Sequence, residues 1–265
     1  VKWDFNRNLT EMGSRALPAE RQKESVHRYY LGLYAMMEQL TTRFPHILFE
    51  SCSGGGGRFD PGMLYYMPQT WTSDNTDAVE RLKIQYGTSM VYPASSMGAH
   101  VSAVPNHQVN RVTSLAMRGD VAMAGYLGYE LDITTMDASE LNLVSWQVNH
   151  YKSIRKTIQF GDMYRLHSPF EGQGNETAWM FISQDTMQVV VFYYKIRAIA
   201  QEPFKQLRLQ GLDKACQYDV AAYRLNSQTN VMEELALGTF GGDELLGYGL
   251  PISVNHGDYQ SQQFI

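Results

Sequence analysis

The chain has 265 residues, 44% of them hydrophobic and 18% charged, and a net charge of −5. That composition describes an ordinary globular protein with room for one large domain or two small ones. The absence of any basic run argues against a nucleic-acid partner, and no apolar stretch reaches the roughly 18 residues a membrane helix needs.

The chain opens on Val1-Lys2-Trp3-Asp4-Phe5-Asn6-Arg7. Val-x-Trp reads as the end of a buried strand, and Asp4 falls where that strand gives way to a loop. Val1 is not an initiator methionine, so the expectation is that a longer protein lies upstream. Residues 18–44 follow a helical pattern, with Tyr29, Leu33, Met36, Met37 and Leu40 on one face and Pro18 where a helix-opening proline belongs. Pro45 stops that helix. Residues 46–50 then read as a short strand, apolar enough for a parallel sheet covered on both faces. After a run of four glycines, residues 61–66 offer at most a short helix, and residues 69–73 make the next strand.

Residues 77–90 are amphipathic and helical, and 98–102 form another strand. A helix over 111–124, a strand over 128–133 and a long helix over 137–160 complete this part. The long helix carries Leu141, Val144, Val148, Tyr151, Ile154 and Ile158 as its apolar stripe. Strand and helix alternating in this way indicate a parallel sheet. Polar residues gathered at the C-terminal ends of strands favour part of a (β/α)8 barrel. A doubly wound sheet is the weaker choice, since no G-x-G-x-x-G opens a helix.

After about residue 167 the pattern changes. Residues 178–183, 188–194, 204–209, 215–224 and 231–235 are short strands separated by turn signals, the mark of an antiparallel β-sandwich. The predicted domains are therefore a partial barrel over 1–167 and a sandwich over 168–265. The glutamine-rich end, 260–263, is expected to fray.

Three stretches carry chemistry. Asp4 lies beside Lys2 and Arg7, whose charges favour its ionised form. An ionised, fixed carboxylate can act as a nucleophile, though a capping or ion-pairing role is an equal reading of this stretch alone. The second is Glu50-Ser51-Cys52-Ser53-Gly54-Gly55-Gly56-Gly57-Arg58-Phe59-Asp60. Its glycines let backbone approach a ligand and offer bare N–H groups; a flexible turn is the plainer reading. The third is Trp71-Thr72-Ser73-Asp74-Asn75-Thr76-Asp77, which also makes a good helix start. Here Asp77 suits the cap and Asp74 the chemistry, with Asp77 the second choice for that chemistry. Trp71 suits either a ligand-facing wall or the core. His100, Asn106 and His107, at and after the strand over 98–102, read more simply as structural. No metal is expected, because no cluster has metal-ligand spacing, and no cofactor is implied.

Taken in order, these three motifs closely resemble those of the α-galactosidases of glycoside hydrolase family 36, and the resemblance runs over nearly the whole chain. It implies that the sequence enters at the fourth barrel strand and that a β-sandwich follows the barrel. The implied activity is release of terminal α-linked galactose from raffinose-type oligosaccharides and melibiose by double displacement, with Asp4 as nucleophile and Asp74 as acid/base. Such enzymes place two carboxyl groups across the scissile bond. The resemblance further implies that Cys52 and Gly55 contact the sugar near its 2-position and that Lys2 and Asn6 bind hydroxyls. Arg7 would either bind a hydroxyl or orient Asp4. Many members have Ser or Ala where this chain has Gly54. A raffinose-synthase-type transglycosylase shares the fold and is the alternative activity. A non-catalytic sugar-binding protein is a third reading, disfavoured by the intact acids. Family resemblance also implies a homotetramer. Residues 1–265 alone are expected to be inactive. Two cysteines, Cys52 and Cys216, make no disulfide framework, in keeping with a cytoplasmic setting.

Overall fold

The computed structural model describes residues 1–6, 10, 12–226, 229, 231–253 and 257–265. Arg7 lies outside the described residues. The chain divides into two compact units, one made of residues 1–74 and 96–98, the other of 75–95 and 99–265.

The first unit holds strands β1 (Lys2–Asp4), β2 (Glu50–Cys52), β3 (Gln69–Trp71) and the first residues of β4 (Met97–Ser102), with helices α1 (Ser25–Arg43) and α2 (Pro61–Tyr66). The four strands lie side by side in chain order, and every pair is parallel. Trp3 packs into a cluster with Leu33, Met37, Phe49, Met63 and Met67, so one face of this sheet is covered by α1 and α2. A short 3-10 turn, Ala19–Glu24, precedes α1 where one continuous helix is expected. Met36, expected on the apolar face, is exposed. The strand expected over 46–50 begins only at Glu50. Ile47 and Leu48 are exposed, and of that apolar run only Phe49 enters the core. A run this short shows hydrophobicity without showing where pairing starts.

In the second unit β4 continues and pairs with β5 (Tyr126–Glu130). Helices α3 (Ala78–Ser89), α4 (Leu115–Met123) and α5 (Ala138–Phe160) follow their capping residues. Asp77 caps α3, Ser114 caps α4, and Asp137 with Glu140 forms a capping box on α5. The α4 cap lies later than the expected start at 111. β5 lies earlier than expected because Ile133–Thr135 forms a 3-10 turn capped by Asp132. On α5 the buried residues are Leu143, Gln147, Tyr151, Ile154, Thr157 and Ile158. The inner stripe is thus rotated from the expected one, and Leu141 is exposed. Gln147 replaces an apolar residue there because its amide is used: Nε2 donates to the Leu115 carbonyl and Oε1 accepts from the Tyr129 hydroxyl.

The antiparallel part begins at β6 (Asp162–His167), ahead of the expected boundary, and continues through β7 (Glu176–Ile182), β8 (Val189–Lys195), β9 (Lys205–Leu207), β10 (Gln217–Asn226), β11 (Val231–Gly241), α6 (Gly242–Gly247), β12 (Leu250–Ile252) and β13 (Gln260–Phe264). Six strands form one sheet in the order β11-β10-β13-β8-β7-β6, and β12 and β9 form a second, smaller layer. Leu207, Leu250 and Ile252 of the small layer share a core with Met180, Val191 and Tyr193. The other face of the large sheet carries Trp179, Phe181, Phe192 and Tyr194, also buried. Tyr194 donates its hydroxyl hydrogen to the Asp120 carbonyl on α4. A sheet covered on both faces explains why β7 and β8 read as continuous apolar runs.

The expected fraying of 260–263 does not occur. β13 is an interior strand between β10 and β8. Gln262 and Gln263 are both buried, and Gln262 hydrogen-bonds both ways with the backbone of Ser253. A ladder on both sides satisfies the main chain of this polar segment, which outweighs its composition.

Candidate active site

Side chains alternate across a strand, so Lys2 and Asp4 share one face of β1, Glu50 and Cys52 one face of β2, and Gln69 and Trp71 one face of β3. This is the face away from Trp3 and the helices. The register aligns Lys2 with Glu50 and Glu50 with Gln69, then Asp4 with Cys52. Two polar rows result. The row nearer the C-terminal ends of the strands contains Asp4, Cys52 and Trp71.

Asp4 and Asp74 are both exposed, Asp4 ending β1 and Asp74 following β3. A short relay joins their surroundings. The Lys2 ammonium lies 5.1 Å from the centre of the Trp71 ring. The Trp71 indole Nε1 donates to Asp74 Oδ1 at 3.1 Å. A cation on a ring face and a carboxylate at the same ring's N–H edge use both poles of the indole.

The glycine run closes the site from the side. Asn6 Nδ2 donates to Asp4 Oδ2 at 3.4 Å, and Asn6 Oδ1 accepts from Gly54 N at 2.5 Å. Ser53 Oγ donates to the Phe5 carbonyl, and Phe5 N donates to the Cys52 carbonyl. Buried Arg58 also donates to the Cys52 carbonyl, at 2.7 Å. Gly54 and Gly55 have φ of +55° and +78°, a region that favours glycine. A Cβ on Gly54 would meet only Asn6 Oδ1, at 4.0 Å, whereas one on Gly55 would fall 2.6 Å from Ser73 Cα and 3.1 Å from Asp74 N. At Gly54 the space is open, so the left-handed φ alone opposes a side chain there. Gly55 is fixed by the loop that carries Asp74.

Cys52 is buried. Burial pushes its thiol up, the Gly55 N–H pulls the other way, and the Asp4 carboxylate adds to the upward shift. It is therefore a neutral thiol facing Asp4 rather than a thiolate nucleophile.

Asp77 is buried and structural. It accepts from Glu80 N at 3.0 Å and forms an ion pair with Arg111. Asn106 is also structural: it donates to Thr76 Oγ1 and accepts from the amides of Gln108 and Val109. His100 Nδ1 lies 3.1 Å from Glu130 Oε2, and His107 is exposed. The residues missed from sequence are Glu50, Gln69 and Arg58. Glu50 and Arg58 stand inside the second motif and Gln69 two residues before the third, yet the sequence assigns them no partner: register brings Glu50 to Lys2 and Gln69, and the glycine loop brings Arg58 to the Cys52 carbonyl.

A parallel sheet backed by helices, with its carboxylates at the C-terminal strand ends and an antiparallel sandwich after it, defines the catalytic-barrel class with an appended β-domain. Comparison with known proteins specifies it further. The Melibiase family model matches residues 1–161, and the model of the glycosyl hydrolase family 36 C-terminal domain matches residues 176–265. The chain belongs to this glycoside hydrolase family. Alpha-galactosidase AgaA of Geobacillus stearothermophilus is 58% identical over all of this chain, which covers 34% of that protein. Alpha-galactosidase 1 of Pediococcus pentosaceus is 48% identical with the same coverage. The crystal structure of the family 36 α-galactosidase AgaB from G. stearothermophilus superimposes with a TM-score of 0.90 at 58% identity, over 99% of this chain and 34% of that one. An AgaA variant in complex with raffinose gives 0.88 at 57% identity, with the same coverage. The chain thus spans about a third of the length of these relatives. Among the described residues, no helix is long and apolar enough to cross a membrane.

Proposed function

We propose that this chain carries the catalytic carboxylates of a retaining α-galactosidase that releases terminal α-linked galactose from raffinose-type oligosaccharides and melibiose. The observation that carries the reading is the pair of exposed carboxylates at the ends of two parallel strands, with Lys2 and the Trp71 indole between their surroundings. Relatives identical to this chain at over half of the aligned positions are named α-galactosidases, and variants of one were crystallised with raffinose and stachyose.

In this reading an Asp4 oxygen attacks the anomeric carbon as the bond to the leaving oxygen breaks, and Asp74 gives that oxygen a proton. Asp74 then takes a proton from water, whose oxygen displaces Asp4 and restores the α configuration. Asn6 holds Asp4 toward the glycine loop, and the Trp71 N–H on Oδ1 leaves Asp74 Oδ2 to carry the proton. Lys2, Asn6, Cys52 and Gly55 line the sugar position. The tetramer expected from the resemblance and the cytoplasmic setting expected from the cysteine content belong to the same proposal, and sedimentation of the full-length protein tests the first.

Azide separates the two acids. In the full-length protein, Asp4→Ala removes the nucleophile, and azide entering the vacated space attacks an activated α-galactoside directly to give the β-galactosyl azide. Asp74→Ala still forms the intermediate with a good leaving group but lacks a base for water. Azide needs no base and captures the intermediate as the α-galactosyl azide. A β-azide from Asp74→Ala would overturn the assignment.

A further inference from the structure

In the inner polar row, below the carboxylates, Glu50 and Gln69 have no role in the chemistry described so far. Lys2, Glu50 and Gln69 stand side by side on three adjacent strands. Gln69 Nε2 donates to Glu50 Oε2 at 2.9 Å, which fixes the orientation of that carboxylate. The other oxygen, Oε1, is buried, makes no hydrogen bond and lies 3.9 Å from the Lys2 ammonium. The Glu50 side chain is 18% exposed and that of Lys2 40%.

A carboxylate held this far from water is costly unless a charge faces it. Glu50 caps no helix, and its one free oxygen is turned toward Lys2. The ammonium in turn leans out of its own row, over the Trp71 ring. A lysine carries a flexible stem and three donors. Faced by Glu50 on one side and by the indole on another, it keeps donors for a ligand.

We propose that Glu50 is a positioning residue for the sugar: it holds Lys2 so that the ammonium meets a hydroxyl of the bound galactose. This rests on the proposed α-galactosidase site. Because Lys2 would touch a hydroxyl remote from the bond that breaks, it serves ground state and transition state alike. Such uniform binding shows in KM and in ligand affinity rather than in kcat.

The test is a double-mutant cycle in the full-length protein, with wild type, Glu50→Gln, Lys2→Met and the double variant. Galactose affinity is measured by calorimetry, and KM and kcat with an aryl α-galactoside. Glu50→Gln should weaken galactose and raise KM by about tenfold, with kcat changed less than about threefold. Lys2→Met should do at least as much, and adding Glu50→Gln to it should change nothing further. Additive effects, unchanged affinity in Glu50→Gln, or a fall in kcat at constant KM would overturn the proposal. If Glu50→Gln does not fold, Glu50→Asp replaces it in the same cycle, with the same dependence on Lys2 required. A wild type that neither binds galactose nor turns over the galactoside would instead sink the parent reading.

Discussion

Gly55→Ala tests the idea that the glycine run shapes the site by close packing. The added methyl group would fall 2.6 Å from Ser73 Cα and 3.1 Å from the amide nitrogens of Ser73 and Asp74, all of them main-chain atoms. A left-handed φ of +78° adds about 1–2 kcal/mol for any L residue, and overpacking against a backbone that cannot rotate away adds roughly 1–3 kcal/mol. The expected loss of stability is about 2–5 kcal/mol. Gly54→Ala is the control: its φ of +55° carries the same backbone cost, but its methyl group meets only Asn6 Oδ1 at 4.0 Å. The difference between the two variants isolates the steric part. Relief of the clash must move the loop that carries Asp74, and a misplacement of ~1 Å costs on the order of a hundredfold in rate. Urea denaturation of the full-length protein, with kcat/KM on an aryl α-galactoside, measures both. A Gly55→Ala protein as stable and as active as Gly54→Ala would refute this account of the site.

Asp120 on α4 is fully buried, its Oδ2 accepting from Ser261 Oγ at 2.6 Å, and burial pushes its carboxyl up to about 7 from the ordinary 3.8. The native state therefore holds this proton more tightly than the unfolded chain, so the stability it contributes is complete below about pH 4 and is lost as pH rises to about 7. Each pH unit in that window costs about 1.4 kcal/mol. Asp120→Asn should gain on wild type by roughly 4 kcal/mol between those limits, and parallel stability curves at pH 4, 6 and 8 would count against it. With iodoacetamide, exposed Cys216 should label before buried Cys52, and galactose should slow Cys52 further; intact mass reads both, and equal rates would argue against the placement of Cys52. Asp77→Ala removes a helix cap and leaves Arg111 without this partner, for an expected loss of roughly 2–4 kcal/mol. The azide outcome should nevertheless stay that of an intact acid/base, and acid/base-type behaviour in Asp77→Ala would reassign that role.

The sequence by itself determined the local chemistry of this protein. Asp4, Cys52 and Asp74 sit in stretches whose residues identify one another, and Asp77 is legible as a cap because a cap needs only its own first turn. Strand–helix alternation gave the parallel part, and short apolar strands gave the sandwich. Only the tertiary structure decided which strands pair and in what register. Period-2 alternation marks the faces of one strand and says nothing of its neighbour. For that reason Lys2, Glu50 and Gln69 cannot be seen as a row in the sequence, although the first two lie within recognised motifs and the third adjoins one. For the same reason β13 reads as a polar tail, yet lies between β10 and β8 with Gln263 fully buried. Burial and ladder hydrogen bonds come from residues far away in the chain, and they override the local preference of a segment that is polar when taken alone.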